Sequence, residues 1–207
     1  MNNKKDVKVM LKEAAILFVI TLFAGLMLGF VYELTKEPIA IQKEKKIKEA
    51  CNAVFPEANS FEEITIALDE ELVAELKKNG IVIGTVYSAL SDTNEALGYV
   101  IASTTKKGYG GDIEIYVGIS NDGTINDISI LKISETPGLG MRAKDELVPQ
   151  LHNMKADEVV FVKTGKQSEN EIDAISGATI TTRAITNAVN GAIKVKAFIE
   201  QGGVANE

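Results

Sequence analysis

The stretch IEIYVGISNDGTINDISILKI, residues 113–133, decides the fold. Val, Ile and Tyr crowd its two arms, Ile113 to Ser120 and Ile125 to Ile133, which is the composition of strands. Between them stands Asn121-Asp122-Gly123, and Asp-Gly suits the positive φ values of a tight turn. The two arms are therefore expected to pair antiparallel.

Outward from this hairpin the same signals recur. Ile81 to Leu90 and Leu97 to Thr104 read as strands upstream, and Val159 to Lys163 as one downstream. Glu70 to Asn79 reads as a helix with Leu72, Val73 and Leu76 turned inward and Gly80 as its stop. Helices are also expected near Arg142 to His152 and from Ile180 onward, where Ile185, Val189, Ala192 and Ile199 recur at helical spacing. A mainly antiparallel sheet with flanking helices makes the class α+β. No internal repeat or low-complexity segment interrupts it, and residues 201–207 read as a flexible tail.

At the other end, Ala14 to Tyr32 reads AAILFVITLFAGLMLGFVY without a charge, about the length an α-helix needs to span a bilayer core. Lys4, Lys5, Lys8 and Lys12 precede it, the pattern that also opens a cleaved signal peptide. The run exceeds a usual h-region, however, and Leu34-Thr35-Lys36-Glu37-Pro38 offers no small-x-small cleavage site, so a retained anchor is expected. Lys36, Lys43, Lys45, Lys46 and Lys48 follow the span and nearly balance the lysines before it. Because a long C-terminal domain translocates largely regardless of charge, the expected orientation is N-terminus in the cytoplasm and domain outside. From Pro38 to Val54, Ile39, Ile41, Ile47, Ala50 and Val54 fit a lysine-rich amphipathic helix leading to the domain. The expected division is 1–12 cytoplasmic, 13–33 transmembrane, 34–60 connecting helix and linker, 61–200 one folded domain, and 201–207 tail. A lipid-headgroup contact is expected only through these lysines and the span.

Composition narrows the chemistry. The chain carries 22 Lys and Arg against 29 Asp and Glu, a net charge of −7, which disfavours nucleic acid as a partner. With one cysteine, Cys51, and one histidine, His152, there is no intrachain disulfide and no recognisable metal ligand set. Cys51 lies in an apolar helical stretch and is expected to be a buried, inert thiol.

Two glycine-rich spots remain. Ser134-Glu135-Thr136-Pro137-Gly138-Leu139-Gly140-Met141 leaves a strand and runs toward a helix. Gly138 to Ala143 satisfies G-x-G-x-x-A, but Glu135-Thr136-Pro137 intervenes before the glycines and no acidic residue ends the next strand, so a dinucleotide site is not expected. The glycines would instead let a planar ligand approach the backbone, or make an ordinary turn. The second spot, Asp173-Ala174-Ile175-Ser176-Gly177-Ala178-Thr179, feeds a helix N-terminus, where free N–H groups and the positive dipole end would stabilise a phosphate. The alternative is that Ser176 or Thr179 simply caps that helix. Gly110-Gly111-Asp112 reads as a plain turn or as an opening for a ring, and Arg142 and Arg183 as phosphate neighbours or surface ion-pair partners.

Asp173-x-x-Ser176-Gly177-Ala178-Thr179 resembles the flavinylation motif of the FMN-binding domain family, and Glu135 to Gly140 is similar to that family's second signature. An N-terminal anchor plus one such domain is similar to the G subunits of Rnf ion-translocating electron-transport complexes, with the C subunits of sodium-pumping NADH:quinone reductases as siblings. The resemblance implies FMN joined by a phosphoester to Thr179, with Ser176, Gly177, Ala178, Glu135, Thr136, Gly138, Leu139 and Gly140 around the cofactor. It implies Asp173 as a recognition residue for a flavin transferase, no catalytic side chain and no metal. The implied partners are the other membrane and redox subunits of a complex that carries electrons from ferredoxin to NAD while moving ions. A non-redox tethered binding domain and a free-standing extracytoplasmic reductase are the alternatives.

Overall fold

A computed structural model of the chain describes residues 3–203, with side chains from residue 7. The side chains of Lys4 and Lys5 and the tail residues 204–207 lie outside these described parts. The chain divides into two units, residues 1–46 and 47–207.

The first unit is helix. Helix α1 is a single α-helix over Asn3–Val54 with Pro38 inside it, and its apolar part is long and apolar enough to cross a membrane. Phe18, Leu28 and Phe30 are 64%, 72% and 62% exposed among the described residues. The span and the lysine-rich helix expected after it are continuous in α1. Pro38 fixes its own φ within helical range and removes one backbone donor, which a long helix accommodates.

The second unit begins earlier than residue 61. From Ile47 the end of α1 belongs to the folded domain, and Ala50, Cys51, Val54 and Phe55 are buried against Ala89, Val100, Ala102 and Tyr116. A six-stranded antiparallel sheet follows in chain order: β1 Ser60–Ile64, β2 Ile81–Leu90, β3 Ala96–Thr105, β4 Ile113–Ser120, β5 Thr124–Lys132 and β6 Met154–Lys155. Helix α2, Glu70–Lys78, stands between β1 and β2; Asp69 caps it by accepting from the Leu72 N–H at 2.7 Å, and Gly80 ends it at φ +72°. Short helices α3, Ala143–Glu146, and α4, Val148–Leu151, precede β6. A separate parallel pair, β7 Val160–Val162 and β8 Glu171–Asp173, leads to α5, Thr179–Glu200.

Alternation along the strands explains their unbroken apolar runs. On β4, Ile113, Ile115, Val117 and Ile119 face the main core with Ile185, Val189 and Val195 of α5, while Tyr116 faces the smaller cluster at the end of α1. Both faces are covered, so both sets of side chains are apolar. The hairpin forms as expected, with β4 and β5 antiparallel. Only Gly123 takes the positive φ, +87°, and its N–H donates to the Ser120 carbonyl at 3.0 Å. The register slips between Gly118 and Ile119, the bulge that accompanies a turn closed by a left-handed glycine. Gln201 and Gly202 close α5 through bonds to the Ala197 and Ile199 carbonyls.

Candidate functional site

The loop before α5 is held by a residue the motif does not contain. Buried Thr182 accepts the Ile175 N–H at 3.1 Å and donates to the Ala178 carbonyl at 3.0 Å. Gly177 turns at φ +78°, and the Ala178 N–H returns to the Ile175 carbonyl at 3.0 Å. Ala178 is the N-cap, and no side chain caps the helix. The cap reading of Ser176 or Thr179 is therefore not what the structure contains: Ser176 is exposed and Thr179 is the first residue of α5, half-buried. Among the described residues the Thr179 hydroxyl has no hydrogen-bond partner. The N–H groups of Thr179, Ile180 and Thr181 belong to the first turn and have no carbonyl four residues back within the helix.

The second loop comes to meet it. The Leu139 and Met141 N–H groups both bond the Thr136 carbonyl, at 3.1 and 3.3 Å, and the chain tightens into a 3₁₀ turn at Gly140–Arg142 before α3. A Cβ on Gly177 would stand 3.0 Å from Leu139 Cδ2, so the two loops touch.

Between them lies a cavity of about 480 Å³, within the range of roughly 300–1,000 Å³ usual for small-molecule sites. Glu135, Thr136, Leu139, Gly140, Gly177, Ala178 and Thr179, separated by some forty positions in sequence, line it together. Gly138 and Ser176 stand in the same loops without lining the cavity. Asp173 lies further off at the end of β8, where its Oδ1 accepts the Lys166 N–H at 3.2 Å and its backbone is bridged by Gln150, at 2.7 and 3.1 Å. Arg142 pairs with Glu146 and Arg183 lies over the Phe161 ring at 5.8 Å; neither lines the cavity.

Sequence reasoning missed three lining residues, Tyr109, Ile180 and Thr181. Tyr109 is 71% exposed and Ile180 50%; an aromatic flanked by Gly108 and Gly110 was the available signal for the first. The Gly110 turn does not open space. A Cβ there would fall 2.0 Å from the Ser134 carbonyl oxygen. Glu135, 7% exposed, accepts the Gly110 N–H at 3.2 Å through Oε1 and the Thr181 hydroxyl at 3.0 Å through Oε2. Cys51 is buried as expected, and burial pushes its thiol up to about 11. Among the described residues no group of three His, Cys, Asp or Glu side chains is placed to hold a metal.

Two family models match, an FMN-binding domain over residues 108–194 and an RnfG N-terminal region over residues 1–54. The first spans every residue that lines the cavity. The chain is 36% identical over 193 residues to the G subunit of the Na⁺-translocating ferredoxin:NAD⁺ oxidoreductase complex of Acetobacterium woodii, covering 92% of this chain and 93% of that one. The chain belongs to the RnfG family of ion-translocating oxidoreductase complexes. A second member, the G subunit of the proton-translocating ferredoxin:NAD⁺ oxidoreductase complex of Clostridium ljungdahlii, is 32% identical over 173 residues, 83% of each chain. Among solved structures, that of Shewanella oneidensis NqrC matches 70% of each chain at 22% identity with a TM-score of 0.46.

FMN is the group this domain family binds, and the residues present fit it. Of the cavity's hydroxyls without a hydrogen-bond partner among the described residues, that of Thr179 stands at a helix N-terminus with free N–H groups, which suits a phosphate. Leu139, Ile180 and Tyr109 offer apolar and aromatic surface suited to a flat ring.

Proposed function

We propose that this chain is the membrane-anchored electron-carrier subunit of an ion-translocating ferredoxin:NAD⁺ oxidoreductase complex, with FMN joined by a phosphoester to Thr179 Oγ. The observation that carries the reading is the Thr179 hydroxyl, partnerless on the wall of a cavity shared with the Glu135–Gly140 loop. Bound there, FMN supplies one- or two-electron transfer. The chain's own work is positional. The first-turn N–H groups of α5 and its dipole balance the phosphate charge, Gly177 and Gly140 let the loops close, and Leu139 and Ile180 keep water from the ring.

A phosphoester tether holds the cofactor where no pool refills it, which accords with the FMN domain standing outside the cytoplasm and α1 crossing the membrane with its N-terminus inside. A flavin transferase would read Asp173 to Thr179, whose Ser176 and Gly177 are exposed. The other membrane and redox subunits of the complex are the electron partners, and lipid covers the apolar part of α1. The Acetobacterium complex moves Na⁺ and the Clostridium complex protons, so the family leaves the ion open. Identities of 36% and 32% to those two proteins favour a ferredoxin:NAD⁺ complex over a quinone reductase.

The test is the intact mass of the membrane-extracted chain, made with an active flavin transferase, followed by mapping of the peptide from Asp173 to Arg183. Added mass equal to FMN less water on Thr179 is expected. An unmodified peptide would sink the tether and favour a non-redox tethered binding domain.

A further inference from the structure

The Glu135 carboxylate is buried at the back of the cavity wall, and three segments wrap around it. A Cβ on Gly108 would stand 2.8 Å from Glu135 Oε1, and one on Gly140 would stand 2.9 Å from Oε2 and 2.6 Å from the Thr181 hydroxyl oxygen. Gly110 donates to one oxygen and Thr181 to the other. The Glu135 side chain is thus among the groups that leave no room for a Cβ at Gly108 and Gly140, alongside the Gly111 carbonyl oxygen 2.2 Å from the first. Tyr109, between Gly108 and Gly110, is carried on a loop whose attachment to α5 runs through Glu135.

Both oxygens accept, and both donors are neutral. Among the described residues no Lys, Arg or His lies within ion-pair distance of Glu135. A buried carboxylate without a cation is unfavourable for the fold, and the hydrogen bonds it makes could be made by a neutral amide. The charge itself therefore needs a use. In a poorly hydrated wall its field is weakly screened, and it opposes the arrival of an electron in the neighbouring cavity.

We propose that Glu135 is a positioning residue that ties the Tyr109 loop to α5 and whose unpaired charge lowers the reduction potential of the flavin bordering it. This rests on the FMN reading of the cavity. Two readouts separate the inference from that reading.

The first needs no flavin: amide exchange in the flavin-free full chain. Gly110 N–H is expected to exchange much more slowly than that of Gly111, and to lose this protection in Glu135→Ala. Equal exchange at the two glycines overturns the tie. The second is the midpoint potential of flavin-loaded protein. In Glu135→Gln the amide oxygen still accepts from Gly110 and its NH₂ donates to the Thr181 oxygen, so the shape survives while the charge is gone; an upward shift is expected. Thr181→Val removes one donor and leaves the charge less shielded, and a downward shift is expected, which also serves if Glu135→Gln fails to fold. A merely structural role would move both variants in the same direction, and that result, or no movement in either, overturns the charge effect. A parent chain that takes no flavin from an active transferase would refute the FMN reading and the potential effect with it, leaving exchange at Gly110 to judge the tie.

Discussion

Thr179 and Thr182 sit three residues apart in one helix and are expected to respond to substitution in opposite ways. Thr179→Ala removes a hydroxyl with no partner and a half-buried methyl at an uncapped helix start. Losing half of a buried methyl costs about 0.4 kcal/mol, and alanine's better helix propensity returns up to about 0.7 kcal/mol. The net change stays within about 0.5 kcal/mol, under about 2 °C in Tm for a domain of this size. Thr182→Val keeps the shape but strips the acceptor from the buried Ile175 N–H, bonded at 3.1 Å. An unsatisfied buried donor costs about 1–3 kcal/mol, or about 2–12 °C.

The assay is thermal melting of both variants prepared without flavin transferase, followed by a second preparation with it and in-gel flavin fluorescence. Thr179→Ala should melt with the parent and carry no covalent flavin. Thr182→Val should melt lower and still carry flavin in its folded fraction. A loss of more than about 6 °C in Thr179→Ala would show that its hydroxyl supports the fold, and covalent flavin in that variant would move the attachment elsewhere. An unchanged Tm in Thr182→Val would refute the account of how the loop is held.

Three further outcomes are expected. Gly140→Ala puts a Cβ 2.7 Å from that of Glu135, and overpacking of about 1–3 kcal/mol should appear as a lower urea midpoint. A chain starting at residue 47 should fold in water, whereas one starting at residue 61 loses Val54 and Phe55 and about 3–6 kcal/mol of burial, read as a collapse of the melting transition. Burial raises the Cys51 thiol from 9.0 to about 11 by favouring its neutral form. The stability this contributes is full below about pH 9 and is lost as pH rises toward 11, so Cys51→Ala should flatten the alkaline decline in that window; an unchanged slope would assign the decline to other groups, among them Tyr87 and Tyr116, whose hydroxyls burial also raises.

Much of the sheet was legible because its signals are local. Ile81–Leu90 and Ile113–Ser120 match their observed bounds, and the Asp-Gly turn closes where its chemistry requires. What was not legible depends on partners distant in sequence. Strand β1 carries Glu62 and Glu63 in its middle and forms only because the edge of β2 accepts it. Strands β6 and β8 are two and three residues long, too short for any period to register. The apolar face of the end of α1, with Ala50, Cys51 and Val54, was legible, but not that Val100, Ala102 and Tyr116 of β3 and β4 cover it and make it part of the folded domain. At the site, motif resemblance named the two loops, and seven of those residues line one cavity. It gave no sign that Glu135 faces Gly110 and Thr181, since that contact spans 25 and 46 positions.

Three threonines within four positions show why one of them is available for modification. Thr181 Oγ donates to Glu135 and Thr182 Oγ bridges Ile175 and Ala178, so esterifying either would break a buried bond and leave its partner unsatisfied, at about 1–3 kcal/mol. Ser176 is free but lies outside the cavity, so a phosphate there would draw the ring away from Leu139 and Ile180. Thr179 alone among these combines a hydroxyl without a structural role, a place on the cavity wall and proximity to the free first-turn N–H groups of α5. The choice of attachment residue thus follows from which hydroxyls the fold has already used, and the helix start that lacks a side-chain cap leaves its N–H groups for the phosphate.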